Sequence, residues 1–419
     1  MPETVLTSEP PLRACVAEAI AQAPVFDIHT HLYSPCFGNL LLYGPDELLT
    51  YHYLVAEVHR ADPTLRPAAF YALTKAAQAD LIWQRLFVER LPVSEACRGV
   101  LTVFHALGLP SGPEGLAAAR QMAADLAPES YVDRILSAAG VSDVVMTNDP
   151  LDEAERAVWL SGPALDPRFR AALRIDSLLL NWAQAAPRLQ GWGYTVSEQP
   201  DRRTAAEARR FLSDWADRIK PVYLAASMPP DFAVPAETAA AWLVEEVIVP
   251  FCRERNLAWA VMPGVRRAVN PALGAAGDGL AVADLRWVEH LCAHYPENRF
   301  LITVLARENQ HELCVLARKF GNLLPFGCWW FLNNPSLIEE MTRMRFELLG
   351  LSHIPQHSDC RILDQLLYKW RHFRPILTKV MGDKLADLLA AGRPITTAEV
   401  ERDTRRLLGD NFRQFCGLD

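Results

Sequence analysis

The sequence predicts an α/β fold: a (β/α)8 barrel of the TIM type, with a helical insertion after its first strand and a helical C-terminal extension. Three observations carry this expectation. Short apolar runs rich in β-branched residues alternate with longer stretches of helical character, the pattern of βαβ units and a parallel sheet. Several runs are almost continuously apolar, as strands covered on both faces must be. Roughly eight such units recur, which favours closure into a barrel over an open sheet.

In chain order the first run is Val25–His31. The second, Asp143–Thr147, comes much too late for a simple crossover. Between them lie helical patterns at Pro45–Arg60, Pro67–Val88, Val93–Leu107, Gly115–Ala124 and Glu129–Ala139. They read as an insertion of residues 33–140 over the C-terminal mouth of the barrel, where active sites form. Residues 1–32 and 141–419 would make the barrel itself. Its remaining runs are Arg170–Asp176, Pro221–Ser227, Ala258–Pro263, Phe300–Leu305, Leu323–Trp329 and Ser352–His357. Helical stretches at Ala205–Arg218, Pro235–Glu254, Leu280–Tyr295 and Gln310–Phe320 separate them. The tail from Leu363, including Thr396–Leu408, reads as helix packed on the outside.

Composition narrows the function classes. The 419 residues are 50% hydrophobic and 22% charged, enough to bury a large core. A net charge of -8 argues against a nucleic-acid partner, which would call for a basic face. No apolar run is long enough to span a bilayer, and the N-terminus lacks the pattern of a signal peptide. The nine cysteines are scattered without a CxxC pair, as expected of reduced thiols in a cytoplasmic protein.

Two segments carry chemistry. In Phe26-Asp27-Ile28-His29-Thr30-His31-Leu32 two histidines stand two apart at a strand end. Period two aims both imidazoles at one point, where they either share an ion or serve as a hydrogen-bonded structural pair. The second segment is Gln356-His357-Ser358-Asp359-Cys360-Arg361, at the end of the last run. A closed barrel makes the eighth strand the neighbour of the first, so Asp359 faces His29 and His31. Those three would hold one divalent ion with positions left open. Alternatively, Asp359 caps a helix.

The combined segments resemble the uronate (glucuronate) isomerase family of the amidohydrolase superfamily. The likeness rests on Asp27-Ile28-His29-Thr30-His31-Leu32, Asp46-Glu47-Leu48-Leu49-Thr50-Tyr51-His52-Tyr53, Gly327-Cys328-Trp329-Trp330-Phe331 and His357-Ser358-Asp359-Cys360-Arg361. It implies an aldose-ketose isomerase converting D-glucuronate to D-fructuronate and D-galacturonate to D-tagaturonate, with one divalent metal, zinc foremost. Two departures stand out. Met262 occupies the place of a family His after the fifth strand, and Ser227-Met228 that of an Asp-His pair after the fourth. Both thin the metal shell.

Such an isomerase moves a proton from C2 to C1 through an enediolate. The resemblance points to Tyr53 as proton carrier, with His52 beside it, if a nearby Arg favours the phenolate. Tyr53 also reads as a core aromatic. Arg361 would share the face of Asp359 if strand geometry persists, and either polarise Tyr53 or bind substrate. Arg174 at the third strand's end suits a carboxylate clamp, against the alternative of an ion pair with Asp176. Arg267 is a further contact. Trp329 walls the sugar, or Trp329 and Trp330 are core. The partner is a small hexuronate, with no nucleic acid or membrane, and a homo-oligomer is compatible with the sequence. The rival readings are a metal-dependent hydrolase on the same scaffold and an inactive barrel serving as a binding protein.

Overall fold

Residues 258, 260 and 262 of one central strand point into a ring of strands while 259 and 261 point out of it, and this alternation is the plan of the whole molecule. The computed structural model describes residues 4–199 and 201–418. Seven strands form one parallel sheet: β1 (Val25–Thr30), β2 (Val141–Asn148), β3 (Phe169–Arg174), β4 (Tyr223–Met228), β5 (Ala258–Pro263), β6 (Phe300–Ile302) and β7 (Leu323–Pro325). Each pairs with the next in sequence, so the sheet curls in simple order from β1 to β7. Phe26, Ile28, Ala172, Tyr223, Ala260 and Leu301 are among the side chains that fill its interior.

The eighth position is held by a segment that is not a regular strand. The Ile354 amide donates to the Pro325 carbonyl (3.0 Å) and the Gly327 amide to the Ile354 carbonyl (2.7 Å). On the other side the Asp359 amide donates to the His29 carbonyl (3.2 Å) and the His31 amide to the Cys360 carbonyl (2.7 Å). These bonds close the ring between β7 and β1. The expected strand over Ser352–His357 reduces to a single bridge at Ile354, because Pro355 has no N–H to give to a ladder. The expected third, sixth and seventh strands are also shorter than their apolar runs: Asp176 already starts a helix, and β6 and β7 end at Ile302 and Pro325.

Between β1 and β2 the chain is mainly helical, including α1 (His52–Ala61), as its apolar periodicity requires. Further on, α2 (Glu153–Leu160) follows β2, and α3 (Gln365–Ala390) runs along the outside of the barrel. The tail departs from the expectation of purely external packing. Phe412 sits edge-on to Phe26 (5.2 Å between ring centroids) and to Tyr223 (5.9 Å), both at the N-terminal ends of their strands. The last helix therefore plugs the floor of the barrel, where the inward-facing rings would otherwise meet water. Among the described residues no helix is long and apolar enough to cross a membrane.

Candidate active site

β1 delivers two imidazoles to one point. A register shift against β2 between Asp27 and Thr30 interrupts the period-two alternation. His29 and His31 both turn toward Asp359, with their Nε2 atoms 3.7 and 3.3 Å from its Oδ1. The ligand atoms of these three residues all lie within 4.8 Å of one another, and they form the only such group among the described residues.

Hydrogen bonds assign the tautomers. The Tyr223 hydroxyl donates to the Ile28 carbonyl (2.7 Å), so toward His29 Nδ1, at 3.1 Å, it can only accept. The Thr147 hydroxyl donates to the Thr30 carbonyl (3.1 Å) and accepts from His31 Nδ1 at 2.8 Å. Both Nδ1 atoms carry the proton, and both Nε2 lone pairs face Asp359. This is how outlying partners orient metal-binding histidines. His29 Nε2 and Asp359 Oδ1 are buried without any hydrogen-bond partner, which a cation bound between them would satisfy. Burial pushes both imidazoles down, toward the neutral form that ligates. Burial alone would raise the Asp359 carboxyl, but the positive charge that the imidazoles of His31, His29 and His357 bring when protonated holds it below the usual range. The donor set fits a divalent ion.

Asp359 reaches its place through backbone strain, at φ +54. Asp27 anchors the segment: its carboxylate accepts from the Ser358 amide (3.1 Å) and from Trp370 Nε1 on α3 (2.8 Å). Burial pushes Asp27 up to about 6. Gly327, at φ +63, lets the chain pass over His357, where a Cβ would lie 1.6 Å from Nδ1 of that ring. His357 is buried edge-on to His29 at 5.4 Å, with neither ring nitrogen hydrogen-bonded.

The positive φ of Asp359 ends strand geometry, so Arg361 does not repeat its direction. The Arg361 guanidinium lies 5.6 Å from the ring of Tyr33, a buried phenol close to the Glu155 carboxyl as well. Glu155 on α2 accepts from Asn148 Nδ2 and the Asp149 amide, both at 3.1 Å, and burial pushes it up to about 7. Arg174 forms the ion pair with Asp176, donating from Nε (2.9 Å) and Nη2 (3.2 Å). Arg267 is exposed and bonded to Asp278 (2.5 Å). Trp329 joins the side chains filling the barrel, as does Met262. Trp330 instead borders the cavity beside α1, its ring 5.1 Å from that of His52. His52 also stacks on Tyr51 at 4.0 Å, and burial pushes it down to about 4.

No family model and no curated protein matches the sequence. Solved structures do match. A uronate isomerase from Bacillus halodurans C-125 has a TM-score of 0.96 and 50% identity, over 98% of this chain and 97% of that chain. The chain belongs to the uronate isomerase family. A glucuronate isomerase from Caulobacter crescentus (TM-score 0.81, 14% identity, 98% of this chain and 95% of that one) shares the fold. So does a uronate isomerase from Thermotoga maritima (0.79, 13%, 98% and 100%).

In this uronate isomerase the structure adds residues that the sequence reading missed. Tyr223, Thr147, Asp27 and Glu155 lie inside apolar or helical patterns that announce burial but not partners. Lys369 is the clearest omission. A lysine inside the largely apolar run Leu366–Trp370 is a signal that can be read.

Proposed function

We propose that the chain interconverts D-glucuronate with D-fructuronate and D-galacturonate with D-tagaturonate by metal-assisted proton transfer between C2 and C1. The observation that carries this reading is the 50% identity to a uronate isomerase along nearly the whole of both chains. The intact His29, His31 and Asp359 group supports it. Zinc is the ion we assign, since two imidazoles and one carboxylate with open positions suit it. Bound there, it would supply a Lewis acid for the negative charge that develops on substrate oxygen.

The remaining roles fall to the chain. Tyr53 carries the proton: its phenolate takes the hydrogen of C2, and the resulting hydroxyl returns it to C1. His52, beside it at 4.5 Å between ring centroids, orients the ring. Asp359 and Arg361 complete the reacting end. Arg174, fixed by Asp176 through two of its nitrogens, keeps Nη1 for the substrate carboxylate. Arg267 and Trp329 contribute at the margins. The nine free thiols suit a cytoplasmic setting.

Purified protein assayed with both uronates, alongside metal analysis, tests the reading. When the Tyr53 hydroxyl exchanges with water before it protonates C1, turnover in D2O should place deuterium at C1 of the ketose, whereas a hydride shift leaves C1 unlabelled. Tyr53→Phe should keep fold and metal and lose roughly 10²–10⁴ in turnover, the contribution of a general acid-base. Near-normal turnover by that variant would assign Tyr53 to packing.

A further inference from the structure

Lys369 on α3 is only 4% exposed, yet its ammonium sits in no ion pair. Among the described residues Nζ makes no hydrogen bond and no ion pair. Its neighbours are rings: Nζ lies 5.3 Å from the centroid of Tyr53 and 5.6 Å from that of Tyr368. Every carboxylate whose charge reaches it is engaged elsewhere. Glu95 binds His372 (2.6 Å) and Arg98 (2.8 Å), Asp27 binds Ser358 and Trp370, and Asp359 faces the two histidines. A buried cation without a partner is expensive and is seldom kept for stability alone. The side chain also opens on a cavity of about 280 Å³, which it shares with His52, Tyr53, Asp278, Trp330 and Asn333.

We propose that Lys369 is the cation against which Tyr53 works: its ammonium stabilises the tyrosine oxygen while that oxygen is negatively charged, and so acts on proton transfer through Tyr53. This rests on the reading of Tyr53 as proton carrier. It also replaces the arginine expected for that task, because Arg361 lies on Tyr33 instead. The O–H bond of Tyr53 breaks with its proton passing to solvent, re-forms with the hydrogen from C2, and breaks again as C1 is protonated. In the same conversion the O2 hydroxyl proton moves to O1, and C2 is oxidised to the ketone as C1 is reduced from aldehyde to alcohol within one molecule, so atoms, charge and electrons balance without an outside oxidant. The other groups around Tyr53 do not favour its anion. Tyr51, Tyr368, Asp359 and Cys360 all oppose it, and the His52 imidazole is kept neutral by burial. Burial also pushes the phenol up and the ammonium down, so each charge is costly alone and less so beside the other.

The test uses fluorotyrosine at position 53 in the full, metal-loaded chain, with fluorine NMR following its ionisation. Lys369→Met keeps the stem and removes the charge. The midpoint should move up by about one pH unit or more, the effect of losing a neighbouring opposite charge, and Lys369→Arg should move it back. The rise of kcat with pH should shift in the same direction with KM little changed. An unmoved midpoint overturns the proposal. So does a raised KM with an unaltered pH profile, which would give Lys369 to the substrate carboxylate. If Lys369→Met does not fold, Lys369→Gln carries the same comparison. The titration needs no substrate, so a chain inert toward uronates would sink the proposed function and still leave the lysine to be judged.

Discussion

Tyr223→Phe removes a single buried oxygen, and its consequences can be worked out from two distances. In the native chain that hydroxyl gives its hydrogen to the Ile28 carbonyl at 2.7 Å and receives the Nδ1 hydrogen of His29 at 3.1 Å. Without it, the Nδ1–H of His29 and the Ile28 carbonyl both lose a partner in a site that water does not reach. An orphaned buried group costs about 1–3 kcal/mol, so the metal-free variant should unfold about 2 kcal/mol more easily. The imidazole is also released from its tautomer. Once the proton can sit on Nε2, part of the population no longer offers a lone pair toward Asp359, and the ring is free to turn. Loss of such an outlying partner costs roughly 10–100-fold in metal affinity, equal to about 1.4–2.8 kcal/mol. Denaturant unfolding of the stripped protein gives the first quantity, and zinc competition against a chelator gives the second. Thr147→Val should repeat the affinity loss through His31. A Tyr223→Phe protein that holds zinc as tightly as the parent would refute the tautomer argument, whatever its stability.

Gly327→Ala forces a methyl within 1.6 Å of His357 Nδ1 and holds a non-glycine residue at φ +63. The left-handed backbone alone costs about 1–2 kcal/mol, and the displaced ring should disturb the Asp359 segment, so metal stoichiometry should fall together with the melting temperature. Arg174→Met should raise KM for uronates by an amount on the order of 2–5 kcal/mol, and an unchanged KM moves the clamp to Arg267. His353, buried without a partner, is pushed down to about 3. Its folded value lies below the unfolded one, so the stability it contributes is present above pH 6.5 and is lost as the pH falls from there toward 3. His353→Leu should flatten that acid loss by an amount on the order of 5 kcal/mol once the pH falls below both values; parallel pH-stability curves for the two proteins would count against it.

The barrel was legible where hydrophobic pattern and hydrogen bonding agree. β5 alternates Ala and Met inside with Trp and Val outside, and its extent matches the apolar run Ala258–Pro263. At the eighth position Pro355, plain in the sequence, argues against a paired strand, whereas the positive φ of Asp359 has no signal in the residue pattern. For the same reason the relation of Arg361 to Asp359 could not be inferred from spacing. The His29 and His31 pair was readable from the motif, while the hydroxyls that fix their tautomers were not. Tyr223 and Thr147 lie on β4 and β2, far away in sequence, and only the curl of the sheet brings them to β1. Charge pairing was the weakest inference. Arg174 and Asp176, two apart, were weighed as a lesser alternative, yet the chain turns into a helix at Asp176 and lets the two side chains meet.

The plug at the barrel floor bears on how this chain comes to be folded. β1 emerges from the ribosome long before Phe412, the ring that covers its lower end and that lies far downstream in the sequence. Until it arrives, Phe26 and Tyr223 are exposed to the cell, and the segment that seals the ring beside β1 has only just been synthesised. Nascent intermediates of this kind, with open apolar edges, are where chaperones bind and where aggregation begins. Overexpression yield should therefore respond to changes at Phe412 that leave the finished enzyme's catalytic groups untouched.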